Sequence, residues 1–131
     1  MKNLSWILLV MAAFICGCHE TRNTRVTINT ETGAKTIVEN SPFLDGKLDV
    51  IGTNYVEVGD LKKAIVTVRS NRKYRLNLQA RVSWLDADGA PIMEDSAAFH
   101  SLIIDGYEEA VITGMSPNAK GVTAIIRIRE I

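Results

Sequence analysis

The sequence predicts an all-β fold, an immunoglobulin-like antiparallel β-sandwich, on three observations. Apolar residues recur with period two in several short stretches, turn-forming residues separate those stretches, and no window beyond residue 18 carries a helical stripe. The 131 residues suffice for one domain of ordinary size. Fifteen basic side chains balance fifteen acidic ones, so no global field draws the chain to nucleic acid or to an anionic membrane. A hydrophobic content of 47% with only three prolines excludes a disordered tail.

The chain opens on "MKNLSWILLVMAAFICGC": Lys2, an uncharged and mostly apolar run from Leu4 to Ile15, then small residues. That run is well short of the ~20 residues a helix needs to span a bilayer, and its order is that of an export signal. The junction resembles a bacterial lipobox, in which the signal is cut immediately before a cysteine that carries lipid. Gly17 supplies the small residue required before Cys18, whereas Ile15 would fill that place for Cys16. Ile15 stands where Leu is usual, and Cys16 where Ala or Ser is usual.

Other uses of the two cysteines fit less well. A disulfide between residues one apart is strained, and with only His19 and His100 to add, the pair falls short of a four-ligand zinc site. A plain signal with a free cysteine is the competing reading. The expected organisation is a signal peptide over residues 1–17, a lipidated tether over 18–24, and a β-sandwich domain over 25–131. Stable anchoring takes more than one acyl chain, which a diacylated or triacylated Cys18 provides. The resemblance implies sorting to the outer membrane, facing the periplasm, because His19 and not Asp follows the cysteine.

The elements of the domain follow in order. "NTETGAK" closes an early hairpin, and "AIVTVR" offers Ala64, Val66 and Val68 to one side. "SNRK" at 70–73 is expected to join two strands as a hairpin. The next strand, "RLNLQARVSW", alternates Leu76, Leu78, Ala80, Val82 and Trp84 with Arg75, Asn77, Gln79, Arg81 and Ser83. Trp84 is expected in the core. "DADG" at 86–89 turns the chain, with Gly89 free to take positive φ. "IDG" parts "AAFHSLI" from "YEEAVITG", and the "MSPNAKG" loop precedes the last strand, "GVTAIIRIRE".

"SPFLDGKLDV", "AIVTVRSNRKYRLNLQARVSWLDADGAPI" and "GYEEAVITGMSPNAKGVTAIIRIRE" together resemble the YcfL-like family of bacterial lipoproteins, over roughly residues 41–130. The marks are a strand ending in Trp-x-Asp before a Gly turn (Trp84, Asp86, Gly89) and a loop of Ser116, Pro117, Asn118 and Ala119. Leu85 stands where the family often has an aromatic residue. The resemblance implies a small periplasmic lipoprotein without an assigned enzymatic activity.

Candidate chemistry is sparse. Asp86, Asp88, Glu94 and Asp95 cluster about one turn, but the stretch is too short for an EF-hand and suits turn geometry alone. His100 and Ser101 are neighbours on a strand and so point to opposite faces, as do Glu108 and Glu109. Neither pair makes a catalytic couple. Arg75 and Arg81 share one face of their strand, and Arg127 and Arg129 share one face of theirs; if these adjoin, they form a basic patch. The bland alternative is a solvated face with cross-strand pairs to Glu57 or Glu109. Tyr55, Tyr74 and Tyr107 offer stacking surfaces, and Tyr107 joins the four arginines in the candidate binding face.

The function expected first is a lipid-anchored interaction domain that binds or positions another cell-envelope protein. The alternative is a ligand-binding module for peptidoglycan, glycan or lipid head groups, using the Arg75/Arg81/Arg127/Arg129 face. No enzyme activity, metal or cofactor is expected, the lipid on Cys18 aside.

Overall fold

The computed structural model describes residues 23–39, 46–93 and 97–131. The expected signal, with Cys16 and Cys18, and the tether up to residue 22 lie outside the described residues, as do Glu94 and Asp95. Nine strands are described: β1 (Asn23–Asn29), β2 (Lys35–Glu39), β3 (Leu48–Val58), β4 (Leu61–Ser70), β5 (Leu76–Leu85), β6 (Pro91–Ile92), β7 (His100–Ile104), β8 (Glu109–Met115) and β9 (Thr123–Glu130).

They form two antiparallel sheets packed as a sandwich. The larger runs β2-β1-β9-β5, with β6 and β7 both paired to the far side of β5, against Trp84–Leu85 and Leu76–Ala80 respectively. The smaller runs β3-β4-β8.

The period of two explains this layering. On β5, β9 and β1 alternate residues Leu78, Trp84, Ala124, Ile126, Ile128, Val26 and Ile28 turn inward and are buried. Ala64, Val66, Val68 and Ile112 of the smaller sheet meet them. Each strand has one apolar face to remove from water, and stacking two such faces does so. For the same reason residues 71–75 do not close a hairpin, as the sequence suggested. β4 and β5 belong to opposite sheets, so the segment carries the chain across the sandwich. Buried Ser70 begins the crossing: its Oγ accepts from the Arg72 N–H, and its own N–H donates to the Glu108 carbonyl.

The other turns form as read. Gly33 and Gly89 take positive φ in the β1–β2 and β5–β6 connections, and the Asp86 carboxylate accepts from the N–H groups of Asp88 and Ala90. Asp86 is thereby spent on turn geometry.

The sheets are tied at one end by a polar clasp. Lys62 Nζ donates to Thr30 Oγ1, which itself donates to the Val122 carbonyl, and Ser116 Oγ accepts from the Lys62 N–H. A Cβ on Gly121 would lie 2.6 Å from the Ser116 Cβ and 3.3 Å from the Trp84 ring, so the loop at 116–121 seats on the core tryptophan only with glycine there. Midway along the sandwich, Gly114 of β8 faces Val82 of β5 so closely that an added Cβ would overlap the valine.

Candidate functional site

Strand register decides which candidate residues meet. Arg127 on β9 stands directly opposite Arg81 on β5 and, on its other side, opposite Arg25 on β1. Arg129, two residues on, faces Gln79 and donates from Nε to its Oε1 at 2.9 Å. The outer face of the larger sheet therefore carries a transverse row Arg25–Arg127–Arg81 with Arg129 beside it. Their described neighbours on that face, among them Thr27, Ser83, Gln79, Ser101 and Thr123, are uncharged.

Phe99 lies against this row. The Arg129 guanidinium carbon sits 3.6 Å from its ring centroid and that of Arg81 4.8 Å, a doubled cation–π contact. Arg81 Nε is buried without a hydrogen-bond partner among the described residues. Glu57 and Glu109, considered as partners for these arginines, belong to the other sheet, where Glu57 faces Lys62 and Glu109 faces Arg69.

Arg75 does not join the patch. It precedes β5 and forms an exposed ion pair with Asp105 at 2.7 Å; the hydrogen bond from Arg75 and then the Asp105 charge raise its pKa above an already high value. Tyr107 sits apart from the row in the link between β7 and β8, exposed and with φ of 59°. Sequence reasoning missed Arg25 and Phe99. Arg25 was legible in "TRVTI", whose alternation puts it on the polar face, but its position across from Arg127 depends on pairing between the chain's two ends. Phe99 carried no such signal, because it acts from outside the strands.

The smaller sheet has the opposite chemistry. Its outward positions include Val56, Val111 and Met115, with Val58 at the strand end and Ile51 at a register break in β3; these five are between 39% and 58% exposed. Leu61 and Ile65 lie among them, half-buried. These apolar side chains share the outer face with Lys63, which lies between Val56 and Met115, and with a charged row, Asp49–Arg69–Glu109, toward the other end.

Where the sandwich opens between β8 and the β5–β7 side, a groove of about 480 Å³ runs inward. Val82, Trp84, Leu102, Ile112 and Gly114 line it, with His100 as its one ionisable described residue. Ser101 also lines it, but its strand position turns it to the arginine face. The indole N–H of Trp84 has no partner among the described residues. The described residues contain no group of three or more His, Cys, Asp or Glu able to hold a metal ion.

Fold and surfaces together define a small all-β sandwich with a row of arginines on one outer face and exposed apolar side chains on the other. The chain belongs to the DUF1425 family, described as a protein of unknown function, which it matches over residues 34–130. It is similar to the crystal structure of a DUF1425 family member from Shewanella sp. pv-4, at 26% identity and a TM-score of 0.60, covering 64% of this chain and 78% of that one. The crystal structure of Campylobacter jejuni cj0090 shares the fold at 17% identity and a TM-score of 0.50, covering 59% of this chain and 82% of that one. No match was found among curated proteins.

Proposed function

We propose that this chain is a YcfL-like lipoprotein, held to the outer membrane by lipid on Cys18 and facing the periplasm, whose sandwich docks another cell-envelope protein. The observation that carries the reading is the exposed apolar strip of Val111 and Met115 along the β8 edge, continuous with the groove behind it. Contiguous apolar surface of this kind is costly to leave in water and marks interaction sites.

The two edges of that sheet are treated differently. β3 breaks register at Ile51 and carries Asp49 and Glu57, features that discourage strand addition. β8 pairs with β4 without a register break, has no Lys or Pro, and has Glu109 as its one charge. The partner that fits is an extended segment with alternating apolar residues. Its backbone adds to β8, one set of side chains enters the groove toward Val82 and Trp84, and the other lies beside Val111 and Met115.

The test is photo- or chemical cross-linking in intact cells, followed by affinity purification, with Val111→Glu and Cys18→Ala beside the native chain. Val111 is exposed, so the variant should fold. One dominant envelope protein, lost with Val111→Glu and reduced with Cys18→Ala, is the expected result. An unchanged adduct with Val111→Glu removes the docking surface, and unchanged membrane fractionation of Cys18→Ala removes the anchor.

A further inference from the structure

We infer that the arginine face of the larger sheet docks on the phosphates of anionic lipid head groups, laying the sandwich against the membrane with its apolar sheet turned away. This rests on the reading of Cys18 as the lipid-bearing residue. Three features of the molecule converge on it.

The first is the row itself. Side chains directly opposite in an antiparallel pair interact, and like charges there destabilise the sheet. Arg25, Arg127 and Arg81 occupy consecutive strands in one such row with no carboxylate among the described residues of that face. Arg127 has a contact of its own. Arg25 and Arg129 are exposed, and the buried Arg81 Nε has no acceptor among the described residues. A polyanionic surface brings opposite charge and acceptors to the exposed Arg25 and Arg129, and guanidinium matches phosphate in shape as well as sign.

The second is Phe99. By holding the guanidinium groups of Arg81 and Arg129 against one ring, it fixes two flexible side chains before any ligand arrives. Less rotamer freedom is then lost on contact.

The third is the tether. Cys18 precedes Asn23, the first residue of β1, by five positions, which reach no further than ~18 Å. Asn23 pairs with Arg129, and Arg25 lies two residues further along β1. The chain therefore enters the sandwich at the basic face, which an anchored Cys18 holds within reach of the bilayer. Attraction to an anionic leaflet fades within a Debye length, about 10 Å at 0.1 M salt, and so short a tether lets the face come within that distance.

The experiment uses the chain made with its own signal and purified from membranes. A fluorophore is placed at Ser101→Cys, exposed beside Gln79 and Arg129, or at Thr113→Cys, exposed on the opposite sheet. Each labelled protein is reconstituted into phosphatidylcholine vesicles with or without phosphatidylglycerol, with a lipid-borne quencher present. Quenching at position 101 but not 113, dependent on phosphatidylglycerol and lost in high salt, is the expected result. Arg25→Gln with Arg129→Gln should lower the docking constant by about fivefold per arginine, with the melting temperature checked to show that the fold survives.

Equal quenching at the two positions, or quenching indifferent to phosphatidylglycerol, overturns the docking while the anchor stands. A chain that stays with neither vesicle type overturns both. One that binds phosphatidylglycerol vesicles alone, and quenches at 101, overturns the anchor and keeps the docking.

Discussion

Gly114→Ala is the most direct test of how the two sheets meet. The added Cβ would overlap the Cβ and Cγ1 of Val82 and lie 2.8 Å from its Cγ2, where carbon atoms prefer about 3.5–4.0 Å. Neither side gives easily. Val82 is on β5, paired through its neighbour Ile126 to β9, and Gly114 is on β8, paired through Ala64 to β4. Overpacking of this kind costs about 1–3 kcal/mol. At about 2.1 cal/mol/K per residue, a domain spanning residues 23–131 has an unfolding entropy near 0.23 kcal/mol/K, so the melting temperature should fall by about 4–13 °C.

Gly52→Ala is the matched comparison, because its Cβ would meet only Thr67 at 3.6 Å, an ordinary contact. It carries the unfolded-chain benefit of Gly→Ala without the collision and should melt at or slightly above the native temperature. The assay is thermal denaturation followed by far-ultraviolet circular dichroism. Val82→Ala removes both Cγ atoms, so it should cost less in the Gly114→Ala background than in the native chain, a coupling that a double-mutant cycle reads directly. Should Gly114→Ala melt with Gly52→Ala, or the cycle show no coupling, the close approach of β8 to β5 is wrong.

Two further substitutions probe single features. Trp84→Ala should cost about 3–5 kcal/mol by urea denaturation, as for a large buried aromatic side chain. Trp84→Phe should stay within about 1 kcal/mol of native, because the smaller ring also removes a buried N–H without a described partner; a loss above about 2 kcal/mol would mean that the N–H is bonded. Tyr107→Gly should raise the melting temperature by a few degrees. A left-handed L-residue costs about 1–2 kcal/mol and glycine's extra chain freedom about 0.5–1, while the exposed ring has little packing to lose; a lower melting temperature would show that the ring is held.

Much of the fold was legible because its period of two is undisturbed. Leu76 to Trp84 and Val122 to Ile128 alternate without a break, and both stretches bury the residues that the pattern points inward, except Val82, which is half-buried at the groove. Sheet membership was not legible. The four residues "SNRK" look the same whether they close a hairpin or cross a sandwich, and the difference lies in which distant strand each flank finds. Arg81, Arg127 and Arg129 could be placed on polar faces from parity, yet their adjacency required β5 and β9 to pair, and nothing local encodes that. Arg75 kept the right parity and still falls outside the patch, because Asp105 meets it past the end of the strand. The apolar outer face of β3-β4-β8 escaped for a related reason. Ile51, Val56, Val111 and Met115 come from separate stretches, each with one or two such residues, and scattered exposed apolar side chains are ordinary until a sheet gathers them.

The two outer faces constrain each other. A sandwich built only for stability would place mixed charges on both, with cross-strand pairs of opposite sign. Here the smaller sheet does so in the row Asp49–Arg69–Glu109, whereas the larger sets Arg25, Arg127 and Arg81 side by side, and the faces lie on opposite sides of a shared core. Whatever occupies the first cannot reach the second. An anionic surface at the arginine row therefore leaves the apolar sheet and the β8 edge pointing away from it, where a second protein has access. The lipid alone would keep the domain near a membrane in any orientation; the arginine row is what would select one.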